Sequence, residues 1–385
     1  MNPPVLLSVL PELHAGTGHV YGYHLSVAEA ARQAGWDHEA LVPRDHGIDA
    51  LPPGWHAVLE PGDLAAGLPA AVRALRPQRL VADGQRFAAS LHQAVAPRLE
   101  RADRDAVVFL ERFNGPQLLA AARGIRSLPR ERLQFWLMFR QDLRSAGIMG
   151  RAYAWAARRI AREWQDRFRL LTDSEPLARE LQGHLGLQAH VMPIPHTRVA
   201  PSPPGPKGDG EIVCWWPGAP RPEKGLAPIQ AFAAAHDTGS RPVRLVVAQD
   251  ADVGGGGAVR VEKIPSRIDD AAYGRWLGTA DYVLLPYEPA RYRYSTSGIF
   301  AEAVVAGSIP LVTAGTWMAQ ELERHGVAEL ALDWREPARI PAMLATLRGD
   351  AGLRARLDAM RAHYAAYHCE ASYARALQSV RAAGG

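Results

Sequence analysis

Short, uninterrupted apolar runs alternate with helical stretches through both halves of the chain, and a proline-rich break separates the halves. Before the break, VLLSVL (5–10), HEALVP (38–43), RLVAD (79–83), AVVFLER (106–112), LQFWLMF (133–139), RLLTDS (169–174) and AHVMPI (189–194) are candidate strands, with a first helix over 21–34. After it come EIVCWWPG (211–218), RLVVAQ (244–249), AVRVEKI (258–264), YVLLPY (282–287), IPLVTAG (309–315) and AELALDW (328–334), with helices over 226–236, 270–278 and 298–306. Strands that are apolar throughout are buried on both faces, which is the mark of parallel sheets built from βαβ units. The segment 196–210, HTRVAPSPPGPKGDG, holds four prolines and three glycines and reads as a linker. The expected architecture is α/β, with two doubly wound Rossmann-like domains: 1–196, a linker over 197–210, a second domain over 211–361, and a helical tail over 362–385.

Composition closes several other classes. Of 44 basic residues only three are lysine, and the arginines are spread through the chain without a nucleic-acid-binding pattern, so no nucleic-acid partner is expected. Two distant cysteines, Cys214 and Cys369, argue against a disulfide framework or a zinc site. The N-terminal segment lacks a basic region and a long apolar run, and no stretch of 18 uncharged apolar residues occurs, so a cytoplasmic protein is expected. The sequence leaves the oligomeric state open.

In open parallel sheets ligands lie beyond the carboxyl ends of the strands, so the strand-to-helix loops carry the candidate residues. After the first strand of the second half, WWPGAPRPEKG places Arg221 and Lys224 three apart before Gly225 opens a helix. Two cations at a helix start suit an anion; a solvated loop with Lys224 paired to Glu223 is the plain alternative. After YVLLPY, Ser297 and Gly298 begin an apolar helix that contains one charge, Glu302. Glu302 lies one turn in, about 6 Å along the axis, where its carboxylate would accept from a ribose diol beyond a phosphate; capping by the helix dipole or an ion pair with Arg291 or Arg293 is the plain alternative. In the first half, PELHAGTGHVYGYH places Gly16, Gly18 and His19 at a turn. It gives G-x-G-x-x-Y with no acidic residue at the end of the second strand, a weak dinucleotide signature.

Together these pieces resemble the GT-B glycosyltransferases, and are most similar to the large retaining family 4. The resemblance spans nearly the whole chain: the early glycine loop, the proline-rich linker, R-x-x-K-G, LPY…SG…EA…G-x-P-L-V, and the helical tail. It implies a metal-independent transfer from a nucleotide diphosphate sugar to a glycan, a lipid-linked glycan or a small-molecule acceptor, with no cofactor beyond the donor. On that resemblance Arg221 and Lys224 clamp the diphosphate, Ser297 and Gly298 hold phosphate, and Glu302 takes the ribose. Backbone near Ile264 and Pro265 holds the base, and Gly16, Gly18 and His19 line the donor and acceptor side. One position departs: where the family keeps an acid eight residues before Glu302, this chain has Tyr294, and Glu288 in the same loop is a substitute.

Were the transfer inverting, a general base would be needed near the acceptor hydroxyl; His19 leads the candidates, ahead of Asp83, Glu111 and Asp142. RAYAWAARRIAREWQDRFR (151–169) sets Tyr153, Ala157, Ile160, Trp164 and Phe168 on one side and Arg151, Arg158, Arg162 and Arg169 on another, fit either for packing on the core or for peripheral membrane contact. A GT-B nucleotide-sugar epimerase and a non-catalytic nucleotide-sugar-binding subunit are the rival readings.

Overall fold

The computed structural model describes residues 3–16, 19–60, 77–102, 104–144, 147–195 and 210–383. The chain separates into two compact units, one of Met1–His196 with Glu370–Gly385 and the other of Thr197–Cys369.

In the first unit the strands β1 (Val5–Val9), β2 (Asp37–Pro43), β3 (Trp55–Leu59), β4 (Ala106–Glu111), β5 (Leu133–Met138), β6 (Phe168–Thr172) and β7 (Ala189–Val191) form one sheet in the order β3-β2-β1-β4-β5-β6-β7. Every pairing is parallel. β1 and β4 are buried along their whole length, as strands covered on both faces must be. The helices are α1 (His19–Gln33), α2 (Pro77–Ala102), α3 (Gly115–Ile125), α4 (Gly147–Trp164), α5 (Glu175–Leu185) and, from the far end of the chain, the helix Glu370–Ala382.

The segment 79–83, expected as a strand, lies inside α2 instead. Phe87, Leu91, Val95 and Leu99 recur every four residues and are all buried, so the helical period of the longer segment overrides a short apolar run. The third strand is WHAVL at 55–59, too short and too polar to stand out. The proline-rich segment falls at 196–209, outside the described residues.

The second unit forms a six-stranded sheet, β10-β9-β8-β11-β12-β13, from β8 (Ile212–Trp215), β9 (Val243–Ala248), β10 (Val259–Ile264), β11 (Tyr282–Leu285), β12 (Ile309–Thr313) and β13 (Ala331–Leu332). All of its pairings are parallel. Its helices are α6 (Leu226–Ala233), α7 (Asp270–Thr279), α8 (Pro289–Tyr292), α9 (Gly298–Ala306), α10 (Trp317–Arg324), α11 (Ile340–Gly349) and α12 (Ala351–Tyr367), and the terminal helix of the first unit is therefore α13. The tail was expected from 362. Instead, α12 runs on to Tyr367 within the second unit, and only α13 joins the first. There Tyr373, Leu377 and Val380 are buried among Tyr23, Val27 and Trp36.

Each sheet reverses its strand order once, at β1/β4 in the first unit and at β8/β11 in the second. Loops that leave such a pair in opposite directions open a crevice at the carboxyl edge, where ligands of doubly wound sheets are held.

Candidate functional site

At the second unit's reversal point, two loops are stitched together by backbone. β8 and β11 pair through Cys214 with Tyr282 and Trp215 with Val283. The loop after β8 turns at Gly218 (φ +89°) and again at Gly225 (φ +90°), both in the left-handed region that favours glycine. A Cβ on Gly225 would stand 2.3 Å from the Pro286 carbonyl oxygen, so only glycine lets this loop lie against the one after β11. The Glu288 amide donates to the Glu223 carbonyl at 3.0 Å, and the Trp216 indole donates to the Lys224 carbonyl at 3.2 Å.

This stitching fixes Lys224. Its ammonium lies 5.7 Å from the centre of the buried Tyr287 ring, and a Cβ on Gly218 would meet Nζ at 3.3 Å and Ile299 Cδ1 at 3.9 Å. Lys224 and the first turn of α9 thus border the same glycine. Burial lowers the Lys224 pKa, nearby Arg221 lowers it further, and Glu223 opposes them. The ammonium is partly stripped of water and repelled by Arg221, which is exposed; an anion between the two would relieve both costs.

Ser297 caps α9. Its hydroxyl accepts from the Phe300 amide at 3.3 Å, its carbonyl accepts from the Ala301 amide, and its side chain also bonds the Tyr287 hydroxyl. The Gly298 and Ile299 amides come next at that helix end, where the dipole and unpaired N–H groups favour negative charge.

Glu302 follows one turn later, partly buried. It is held by neither Arg291 nor Arg293. The hydroxyl of Tyr273 in α7 donates to Glu302 Oε2 at 2.5 Å, and the Tyr273 ring stands edge-on to buried Trp215 at 5.4 Å. Burial raises the Glu302 pKa from 4.5 to about 7; the Tyr273 hydrogen bond lowers it and Asp270 adds to the rise. Among the described residues no cation pairs with Glu302, so it is a carboxyl poised to titrate near neutrality with acceptor capacity beyond one phenol.

Arg221, Lys224, Ser297, Gly298 and Glu302 thus belong to two loop ends and one helix at the reversal point. Tyr294 is half-buried with Arg293 over its ring at 5.6 Å, and Glu288 is exposed at the start of α8. Ile264 and Pro265 end the edge strand β10, with β9 between it and β8, and the Ile264 carbonyl already accepts from Gln249 at 2.7 Å. The chain runs on from this segment into α7, whose Tyr273 bonds Glu302. Tyr273, Tyr287 and Gly218 went unnoticed in the sequence, because a tyrosine near a strand or helix end looks like ordinary packing until its hydroxyl is seen to bond Ser297 or Glu302.

In the first unit, Gly16 packs on Ile48, His19 begins α1, and Gly18 and the His19 side chain lie outside the described residues. Glu111, at the end of β4, is no free base. Arg140 donates to Glu111 Oε1 at 2.7 Å and to Asp173 at 2.5 Å, and His24 lies 3.4 Å from Glu111 Oε2. Burial pushes Glu111 up, but Arg140 and His24 override it and hold the carboxylate well below its usual range. The Arg140 guanidinium also covers the Tyr23 ring at 4.4 Å, and the Tyr23 hydroxyl meets that of Tyr373 at 3.0 Å. This network carries the terminal helix. Asp83 is tied to Arg86 at 2.5 Å. Arg169, placed on the basic face by the helical period, is buried in β6 and donates to the Val380 carbonyl at 3.0 Å.

No protein-family model matches the sequence, and no curated protein sequence matches it. Solved structures do match. A glycosyltransferase from Rickettsia africae ESF-5 superimposes with a TM-score of 0.64 at 10% identity, over 99% of this chain and 98% of its own. Sucrose-phosphate synthase from Thermosynechococcus elongatus gives 0.64 at 13%, over 98% of each chain. The Anabaena protein HepE, in complex with UDP-glucose, gives 0.58 at 13%, over 98% of this chain and 99% of its own. At such identities the likeness is one of fold. The chain has the GT-B fold, two parallel-sheet units with a helical C-terminus.

Proposed function

We propose that the chain is a glycosyltransferase that takes its sugar from a nucleotide diphosphate sugar, bound at the β8/β11 reversal point of the second unit. The observation that carries this is the stitched pair of loops that puts a half-desolvated lysine and the first turn of α9 around one glycine, with a carboxyl one turn further on that pairs with no cation among the described residues. A diphosphate suits the first two and a ribose diol the third, in the order of a nucleotide. The fold shared with glycosyltransferases, and with a protein in complex with UDP-glucose, supports the reading.

In this reading Arg221, Lys224 and the Gly298 and Ile299 amides stabilise the negative charge that grows on the diphosphate as the glycosidic bond breaks. Donors fixed in advance of the reaction do this without reorganising, and no metal is assigned a part. Transfer with retention, membership of family 4, and a glycan, lipid-linked glycan or small-molecule acceptor follow from the sequence resemblance. Tyr294, in place of the acid that contacts the sugar, points to a sugar held by a phenol and by neighbouring backbone.

The test is incubation with a panel of nucleotide diphosphate sugars, without acceptor, followed by anion-exchange analysis. Slow appearance of free sugar with nucleoside diphosphate supports the transferase. An epimerised nucleotide sugar would replace this reading with an epimerase, and tight binding without turnover would make the chain a binding subunit.

A further inference from the structure

The first unit carries a second surface that the nucleotide reading does not use. The inner face of α4 packs inward through Ala154, Ala157, Ile160 and Trp164, all buried. Its outer face presents Arg151, Trp155, Arg159 and Arg162, spaced four, four and three residues apart, all exposed. α3 lies alongside, tied by Tyr153 donating to the Phe113 carbonyl at one end and by Arg126 pairing with Glu163 at 2.8 Å near the other. Its outer positions are Leu119, Arg123 and Arg126, also exposed. Between the two helices is an open depression of about 470 Å³ whose lining includes Arg126, Trp155, Arg159 and Arg162, with Glu163 the one acid among them.

Two apolar side chains stand out from this basic face. Trp155 is 51% exposed and Leu119 45%, two of the few large hydrophobics left open to solvent among the described residues. Arg159 lies over the Trp155 ring at 5.4 Å, so indole and guanidinium share one patch. We infer that this face docks on an anionic lipid bilayer. A soluble anion would need the arginines alone. An indole and a leucine projecting from a basic patch suit a layered partner, with phosphate headgroups at the surface and hydrocarbon beneath. No helix among the described residues is long and apolar enough to cross a membrane, so the attachment is a surface one. The inner stripe of α4 belongs to the core, and the lipid-facing group is the outer face that α3 and α4 share.

The test uses the full chain in co-sedimentation with vesicles of phosphatidylcholine alone and of phosphatidylcholine mixed with phosphatidylglycerol. The chain should pellet with the mixed vesicles only, and pelleting should fall as salt rises because the attraction is screened beyond about 8 Å at physiological ionic strength. Trp155→Ala combined with Arg159→Ala and Arg162→Ala should lower partitioning by about tenfold or more. These exposed positions should leave the melting temperature unchanged, which separates lost docking from lost fold. Equal pelleting of wild type and triple variant would overturn the proposal. So would release of the chain by millimolar inorganic phosphate at constant ionic strength, which marks a free-anion site, or retention on heparin without vesicle binding, which marks a surface for acidic glycans.

Discussion

Replacing Glu302 by Gln should make the protein more stable and a poorer binder. Glu302 is held in a setting that raises its pKa from 4.5 to about 7, chiefly by burial. A carboxyl whose folded pKa lies above its unfolded one destabilises the fold by an amount that is absent below about pH 4.5, grows as pH rises, and is complete above pH 7. At ~1.4 kcal/mol per pH unit the rise corresponds to about 3 kcal/mol, and partial exposure of the side chain reduces this to about 1–3 kcal/mol. A glutamine at this position would keep an acceptor for the Tyr273 hydroxyl and escape the ionisation penalty. Urea unfolding should therefore show the variant more stable at pH 8 by about 1–3 kcal/mol, with the gain shrinking toward pH 5. Nucleotide-sugar binding should move the other way, weakening about tenfold or more as a charged acceptor is lost. For wild type, affinity should rise up to about tenfold from pH 6 to pH 8 as Glu302 ionises; the phosphodiesters of a nucleotide sugar do not titrate there, and the variant should show no such rise. A variant less stable at pH 8 with unchanged affinity would refute the argument and make Glu302 a structural partner of Tyr273.

Four further substitutions have defined outcomes. Lys224→Ala should raise the Kd for a nucleoside diphosphate about tenfold or more by calorimetry, with little change in melting temperature, since the ammonium is disfavoured by burial and by Arg221. Gly225→Ala should cost stability and expression, because φ is +90° and its Cβ would stand 2.3 Å from the Pro286 carbonyl oxygen; Gly218→Ala is strained too but meets only side-chain ends, Lys224 Nζ at 3.3 Å and Ile299 Cδ1 at 3.9 Å, so its main effect should be on nucleotide affinity. Glu111→Gln removes one of the carboxylates to which buried Arg140 donates and should destabilise the first unit by about 3–5 kcal/mol in chemical unfolding, without changing nucleotide affinity.

Most strand positions were legible because parallel strands covered on both faces are apolar throughout, and that signal is strong at 106–111 and 282–285. It misled at 79–83, where a local run belonged to the longer helical period set by Phe87, Leu91, Val95 and Leu99. The helix Gly298–Ala306 was readable to the residue, since Ser297 caps it and Gly307 (φ +80°) ends it. Glu302 was visible as a charge in an apolar helix, but its partner was not: Tyr273 is 29 residues away in another helix, and only the fold brings the two to 2.5 Å. Lys224 was singled out by its rarity and by its spacing from Arg221. What fixes it is Tyr287 and a pair of left-handed glycines, and neither a ring beneath an ammonium nor a backbone approach leaves a spacing pattern. Arg169 failed for the opposite reason: a helical period carried past Trp164 placed it on a solvent face, whereas the chain had already turned into β6.

The most direct measurement is a calorimetric titration of the chain, and of its Lys224→Ala variant, with UDP, GDP, ADP, CDP and dTDP in turn. One of these should bind wild type with a Kd on the order of micromolar, as about −8 kcal/mol of charge-assisted contacts would give, and bind the variant at least about tenfold more weakly. Equal binding to both proteins, or no binding by any of the five, would contradict a nucleotide diphosphate site at the β8/β11 reversal point.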